Sequence, residues 1–166
     1  IYRECSIPSP NFLIHRTDFE RIGGFDHETY PEDYDLTFRM YQHGLRVCGV
    51  NEVTLYWRDH ASRSTRTQEH YHPLNFIPLK VRYFLKIDYN DSKELILWGA
   101  GKKGKLIARA LIDKNIDFTW VTENDKKIGK DIYGIVPVSA QGINTSNIQV
   151  VIAVSNAEDV NEIISR

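Results

Sequence analysis

No stretch of the sequence stays apolar for the roughly 20 residues that a membrane-spanning helix needs, and no charged, then apolar, then small-residue order marks a secretion signal at its start. No membrane span and no cleaved leader are therefore expected, an outcome compatible with peripheral membrane association. Cysteine is scarce. Cys5 and Cys48 form neither a disulfide framework nor a metal-ligand spacing, and are expected as reduced, part-buried thiols of a cytoplasmic protein. Positive charge is not in excess: the formal net charge is -1, so no basic field argues for nucleic acid as a partner. Internal repeats and low-complexity tracts are missing too, which sets solenoids and arrays aside. The chain opens on Ile1 rather than Met and is expected to be a fragment.

What is present suits a folded protein. With 42% hydrophobic and 26% charged residues in a chain of 166, disorder is excluded and there is material for one sizeable core or two small ones. A shift in composition favours two. Residues 1–91 hold nine Arg, two Lys, all six His and both Cys, whereas residues 92–166 hold eight Lys, two Arg and no His or Cys. Between them, Leu79, Tyr83 and Ile87 recur at helical spacing in a segment that opens after Pro78 and closes at the polar "YNDS". The expected organisation is a first module over residues 1–73, a linker helix over 74–91 and a second module over 92–166.

In the first module, "NFLIH" (11–15) reads as a short strand, and "TDFE" (17–20) has the Thr-x-x-Glu spacing of a capping box opening a helix that Gly23 and Gly24 stop. "YPED" then leads into a helix with Leu36, Met40 and Tyr41 on its apolar stripe, ended by Gly44. Phe38, Met40 and Tyr41 are expected in the core. "RVCGV" and "EVTLYWR" read as extended segments. Three carboxylates, Glu32, Asp33 and Asp35, crowd the start of that helix. Acidic side chains suit the positive end of a helix without further purpose; the same crowding also serves base catalysis or cation binding.

The second module is plainer. "ELILW" is an apolar strand, Gly99-x-Gly101-x-x-Gly104 follows it, and a helix bearing Leu106, Ile107, Ala110 and Leu111 on one face comes next. A second strand, "FTWVTEN", ends in Glu123, about 20 residues past the loop, where a dinucleotide fold places its ribose-binding acid. A third strand, "IQVVIAVS", and the helix "AEDVNEIIS" complete a three-stranded parallel half-Rossmann α/β unit. Backbone amides at a glycine loop and a helix start make a seat for phosphate. Glycines also permit close helix-to-strand packing with no ligand at all, and Lys102 and Lys103 beside them fit either phosphate contact or a solvated surface.

Taken as a unit, residues 11–64 resemble the C-terminal half of the catalytic domain of family-2 (GT-A fold) bacterial glycosyltransferases. The resemblance is carried by Arg16 after the first strand, "GGFD" (Gly23 to Asp26), the Glu32-Asp33 pair, Gly44, and Arg58 with His60. It implies a partial GT-A half-domain and an inverting transfer of a sugar from a nucleotide-sugar donor to a glycan or lipid-linked acceptor. Asp33 would then be the general base, with Glu32 and Asp35 supporting it. His60 would lie beside a divalent metal, Mg or Mn, and the diphosphate, and Arg58 would offset charge on the leaving nucleotide. Nothing before residue 11 can supply the donor-binding half or the Asp-x-Asp motif that such enzymes carry there, and "SIPSPNF" has no glycine where relatives place a glycine-containing loop, so the fragment alone is expected to be inactive.

Residues 92–166 are similar to the small Rossmann-type domain that precedes the left-handed helix of bacterial sugar acyltransferases, "IGKDIYGIVPVS" being the matching segment. They are similar also to nucleotide-binding units of polysaccharide-biosynthesis epimerases and dehydratases. The resemblance implies a nucleotide-sugar or dinucleotide held by Gly99, Gly101, Gly104 and Glu123. Two other readings stand beside the transferase. One is a non-catalytic nucleotide-binding module with a remnant transferase segment; the other is a nicotinamide-dependent oxidoreductase, which needs a Tyr-x-x-x-Lys relay after the Rossmann unit that this sequence does not contain.

Overall fold

The computed structural model describes residues 2–5, 7, 9–144 and 146–165, so Ser6 and Pro8 of "SIPSPNF" lie outside the described residues. The chain divides into two compact units, Ile1–Ile87 and Asp88–Arg166.

The first unit is helical. Its helices are α1 (Arg16–Arg21), α2 (Glu32–Gln42), α3 (Ser64–Thr67) and α4 (Ile77–Ile87). The centre is α2, in which Tyr34 to Phe38 and Met40 are all buried, because its apolar residues occupy two stripes rather than one. Leu36 and Met40 pack with Ile7 and Ile22. Tyr34 and Phe38 pack with Leu79 and Tyr83 of α4, the rings of Phe38 and Tyr83 stacking at 4.5 Å between centroids. The helix read as a linker thus gives its apolar face to the core of this unit. At the end of α2 the Leu45 N–H reaches back to Met40 O, and Leu45 packs on the same cluster, closing the helix as a hydrophobic C-terminal motif does.

Several expectations for this unit need correction. No strand forms at 11–15, 46–50 or 52–58 among the described residues, because a strand needs a hydrogen-bonded neighbour and none is there to pair. The capping box is not made: α1 begins at Arg16 with His15 as its N-cap and no side-chain cap bond, two residues too early for Thr17 to serve. Tyr41 is 51% exposed, since it lies off both buried stripes of α2, whereas Phe38 and Met40 are in the core. Cys48 is exposed, and Cys5 is half-buried.

The second unit is an α/β sandwich with four strands rather than the expected three: β1 (Glu94–Trp98), β2 (Thr119–Thr122), β3 (Val138–Ser139) and β4 (Ile148–Ile152), all parallel in the order β3-β2-β1-β4. The extra strand is two residues long, too short to leave a periodic trace in sequence. Helix α5 (Lys102–Ile112) follows β1, and α6 (Ala157–Ser165) follows β4. Central β1 is apolar at successive positions because both its faces are covered. Leu97 and Trp120 meet Ala108 of α5 on one face; Ile96, Trp98 and Val121 meet Ile163 of α6 on the other. The buried face of α5 runs through Gly104, Ala108 and Leu111, and Leu106, expected on it, is 39% exposed.

Candidate functional site

The first turn of α2 carries the acidic cluster, and the structure gives its three carboxylates different surroundings. Asp35 is only 2% exposed and fully engaged: Arg82 donates at 2.7 Å and the Tyr83 hydroxyl at 2.6 Å to Oδ1, and Arg39 Nε donates at 2.8 Å to Oδ2. It ties α2 to α4. Asp33 is half-buried, and its Oδ2 accepts one long bond, 3.4 Å, from the Ser9 N–H; Oδ1 has no hydrogen-bond partner among the described residues. Glu32 is also half-buried, with Oε2 enclosed and without a hydrogen-bond partner among the described residues.

Tyr71, from the short 3-10 turn Glu69–Tyr71, stands near this pair. Burial first, then the carboxylates of Glu32 and Asp33, hold its phenol above the usual range. Sequence reasoning missed Tyr71 and Ser9, since neither belongs to a motif or a periodic stripe. Arg58 and His60 lie on an exposed, irregular stretch, where His60 Nδ1 is 3.0 Å from Ser62 Oγ. No hydrogen bond or ion pair joins either of them to Glu32 or Asp33 among the described residues. No group of three or more His, Cys, Asp or Glu side chains gathers as metal ligands among the described residues.

In the second unit the glycine loop follows β1 at the carboxyl end of the sheet. Strand order reverses between β1 and β4, and such a switch point is where open α/β sheets form a ligand crevice. Each glycine meets a different demand. Gly99 has φ +111°, in the left-handed region, and lies against the backbone of Ala153 just past β4. A Cβ on Gly104 would stand 1.9 Å from Gly99 O, so α5 can approach the loop this closely only with glycine there. Gly101, the N-cap of α5, has ordinary backbone angles, no side-chain cap bond, and nothing within 4 Å of where a Cβ would be. The space beside Gly101 at the start of α5 is therefore open, which leaves room for a phosphate near the helix N-terminus. By contrast, Asn156 caps the first turn of α6 through the Glu158 N–H.

Glu123 follows the last residue of β2 at the same edge, exposed. Lys127, which no motif marked, donates to Ala100 O within the loop. Lys102 and Lys103 are exposed. At the opposite edge, a groove of about 430 Å³ between the starts of β1 and β2 is lined by Asp91, Lys93, Glu94, Asn115, Asp117 and Thr119 and holds none of the candidate residues.

Against known proteins the chain aligns with the probable glycosyltransferase YdaM of Bacillus subtilis (strain 168), 37% identical over 46 residues. That stretch is 28% of this chain and 11% of the length of that protein. It supports a relationship to glycosyltransferases at the general level. No family profile and no solved structure matches the chain. No helix among the described residues is long and apolar enough to cross a membrane.

Proposed function

We propose that this chain is part of an inverting glycosyltransferase of the cytoplasm, which moves a sugar from a nucleotide-sugar to a glycan or lipid-linked acceptor, with Asp33 as general base. The observation that carries the reading is the contrast among the three carboxylates: Asp35 is used up by three donors, while Asp33 keeps an oxygen without a partner among the described residues, on a partly exposed side chain. A sugar hydroxyl is a weak nucleophile. As its oxygen bonds to the anomeric carbon and the bond from that carbon to the donor phosphate breaks, its proton passes to a carboxylate within hydrogen-bond reach. Glu32 and Tyr71 shape the surroundings of that carboxylate, and Asp35 holds the helix that bears it. Arg58 and His60 are proposed for the leaving nucleotide in the full-length protein, where a metal would be bound largely by residues outside this chain.

The expected result for Asp33→Asn in the full-length enzyme is a drop in kcat of about 10³-fold with donor affinity unchanged, in line with the usual worth of a general base. Turnover within a few-fold of wild type would remove Asp33 from that role.

The second unit is proposed to hold a nucleotide-sugar or dinucleotide by Gly99, Gly101, Gly104 and Glu123; the open, uncapped start of α5 at the β1/β4 switch point supports this. Gly101→Ala provides a clean test because the added methyl touches no protein atom. Calorimetric titration of the 166-residue chain with UDP-glucose and with NAD is expected to give heat for one of them. In the variant that affinity should fall by about tenfold, a loss of roughly 1.4 kcal/mol, with the melting temperature unchanged. Absence of heat with both ligands would leave the loop a packing role only.

A further inference from the structure

We propose that the groove between the starts of β1 and β2 binds an uncharged saccharide. All its lining residues belong to the second unit, and its volume of about 430 Å³ falls in the range of small-molecule sites. Local sequence builds it at two neighbouring strand starts. Helix α5 ends on Asn115, which takes φ +54° as a left-handed cap; its N–H donates to Ile112 O, and the Ile116 N–H donates to Leu111 O. That turn leads into residues 116–119, which line the groove together with residues from the approach to β1. The two strands are hydrogen-bonded neighbours, with Ile96 opposite Thr119 in register.

The lining is amphipathic. Leu95 is buried, Ile116 and Phe118 are half-buried, and the Phe118 ring is packed edge-on to Trp120 at 6.2 Å between centroids. Beside this apolar surface stand exposed polar groups. The Asp91, Lys93, Asn115 and Asp117 side chains have no hydrogen-bond partner among the described residues, and the Thr119 hydroxyl fixes Glu94 through Oε1 at 2.6 Å while Oε2 accepts from none of them. A sugar matches both kinds of surface: its C–H face packs on apolar and aromatic groups, and its hydroxyls donate to carboxylates and accept from an ammonium or an amide. Charge narrows the choice. Three carboxylates stand against one ammonium, and α5 brings the negative end of its dipole, so phosphates and nucleotides are disfavoured here. Lys102, Lys103 and Lys127 stand at the glycine loop, on the other edge of the sheet, and give that edge the opposite sign. A cation would be repelled by Lys93 and would leave the apolar surface idle, whereas a neutral saccharide uses every group. The site is additional to the proposed transfer reaction and does not depend on it.

The test is an NMR titration of the nitrogen-15-labelled 166-residue chain with maltose, lactose and chitobiose in turn. At least one of them is expected to shift the amides of 93–95 and 115–119, with a dissociation constant of about 1 mM, as a few polar contacts in an open groove allow, and to leave those of 99–104 in place. Asp91→Asn and Asp117→Asn alter exposed side chains that hold no other contact among the described residues. Each should weaken binding about tenfold, the usual worth of a hydrogen bond to a charged group, with the melting temperature unchanged. No shift at the groove with any of the three sugars would overturn the proposal. So would shifts given by spermidine and by no sugar, the mark of a cation site, or sugar binding that both variants leave intact. None of these outcomes bears on Asp33 or on the glycine loop.

Discussion

Asp35→Ala is expected to destabilise the first unit by about 3–4 kcal/mol, the usual cost of removing one partner from a buried ion pair. Only 2% of the aspartate is exposed, and its loss strips hydrogen bonds from Arg39, Arg82 and Tyr83 together. Arg39 is the most exposed to harm in energetic terms: one of its guanidinium nitrogens already lacks a partner among the described residues, and Nε would become a second. A charge left enclosed and unpaired costs more than the pair ever contributed. Denaturant unfolding followed by the aromatic signal of this unit checks the figure, and a loss below about 1 kcal/mol would mean the network behaves like a surface pair.

The same network sets an alkaline limit. Burial, and then the Asp35 carboxylate, push the Tyr83 hydroxyl from 10.0 up to about 12. The unfolded chain thus loses this proton near pH 10 while the folded protein keeps it, so the stability it contributes is whole below pH 10 and is lost as pH rises towards 12. In Asp35→Ala that slope should shrink. It should not vanish, because burial raises Tyr34 in the same direction.

Gly104→Ala is expected to cost the second unit about 3 kcal/mol, at the upper end of what overpacking usually does. The added carbon would sit 1.9 Å from Gly99 O, a backbone atom held in place because the Gly99 N–H donates to Val121 O. Neither side can yield by a rotamer change; α5 must move off β1, opening the contact of Ala108 with Leu97 and Trp120. For a unit of this size such a loss lowers the melting temperature by roughly 10 °C or more. Gly101→Ala, three residues earlier, should leave it unchanged. Equal effects at the two positions would show that the loop does not separate packing from ligand access.

The second unit was legible element by element, Leu106 and β3 apart, because most of its signals are local. A continuous apolar run is a strand buried on both faces, the glycine spacing marks the turn into α5, and the next two apolar runs fall on β2 and β4. What escaped was β3, whose two residues are held by pairing with β2 alone, and Lys127, whose bond to Ala100 O spans 27 positions. The first unit was legible in its helices and misleading in its strands. Residues 46–58 have strand chemistry, but a strand exists only when another chain segment offers the matching hydrogen bonds.

The order of the sequence was enough to mark helices α1, α2, α4, α5 and α6 but not α3, where the glycine loop falls, and that three carboxylates open α2, since helix periodicity, glycine spacing and first-turn charge are all written within a few consecutive residues. Only the tertiary structure set those carboxylates apart from one another. It set Asp35 against Arg82 and Tyr83, 47 and 48 positions away, and left Asp33 with an unused oxygen. Charge and spacing make neighbouring acids look alike; burial and distant donors make them different.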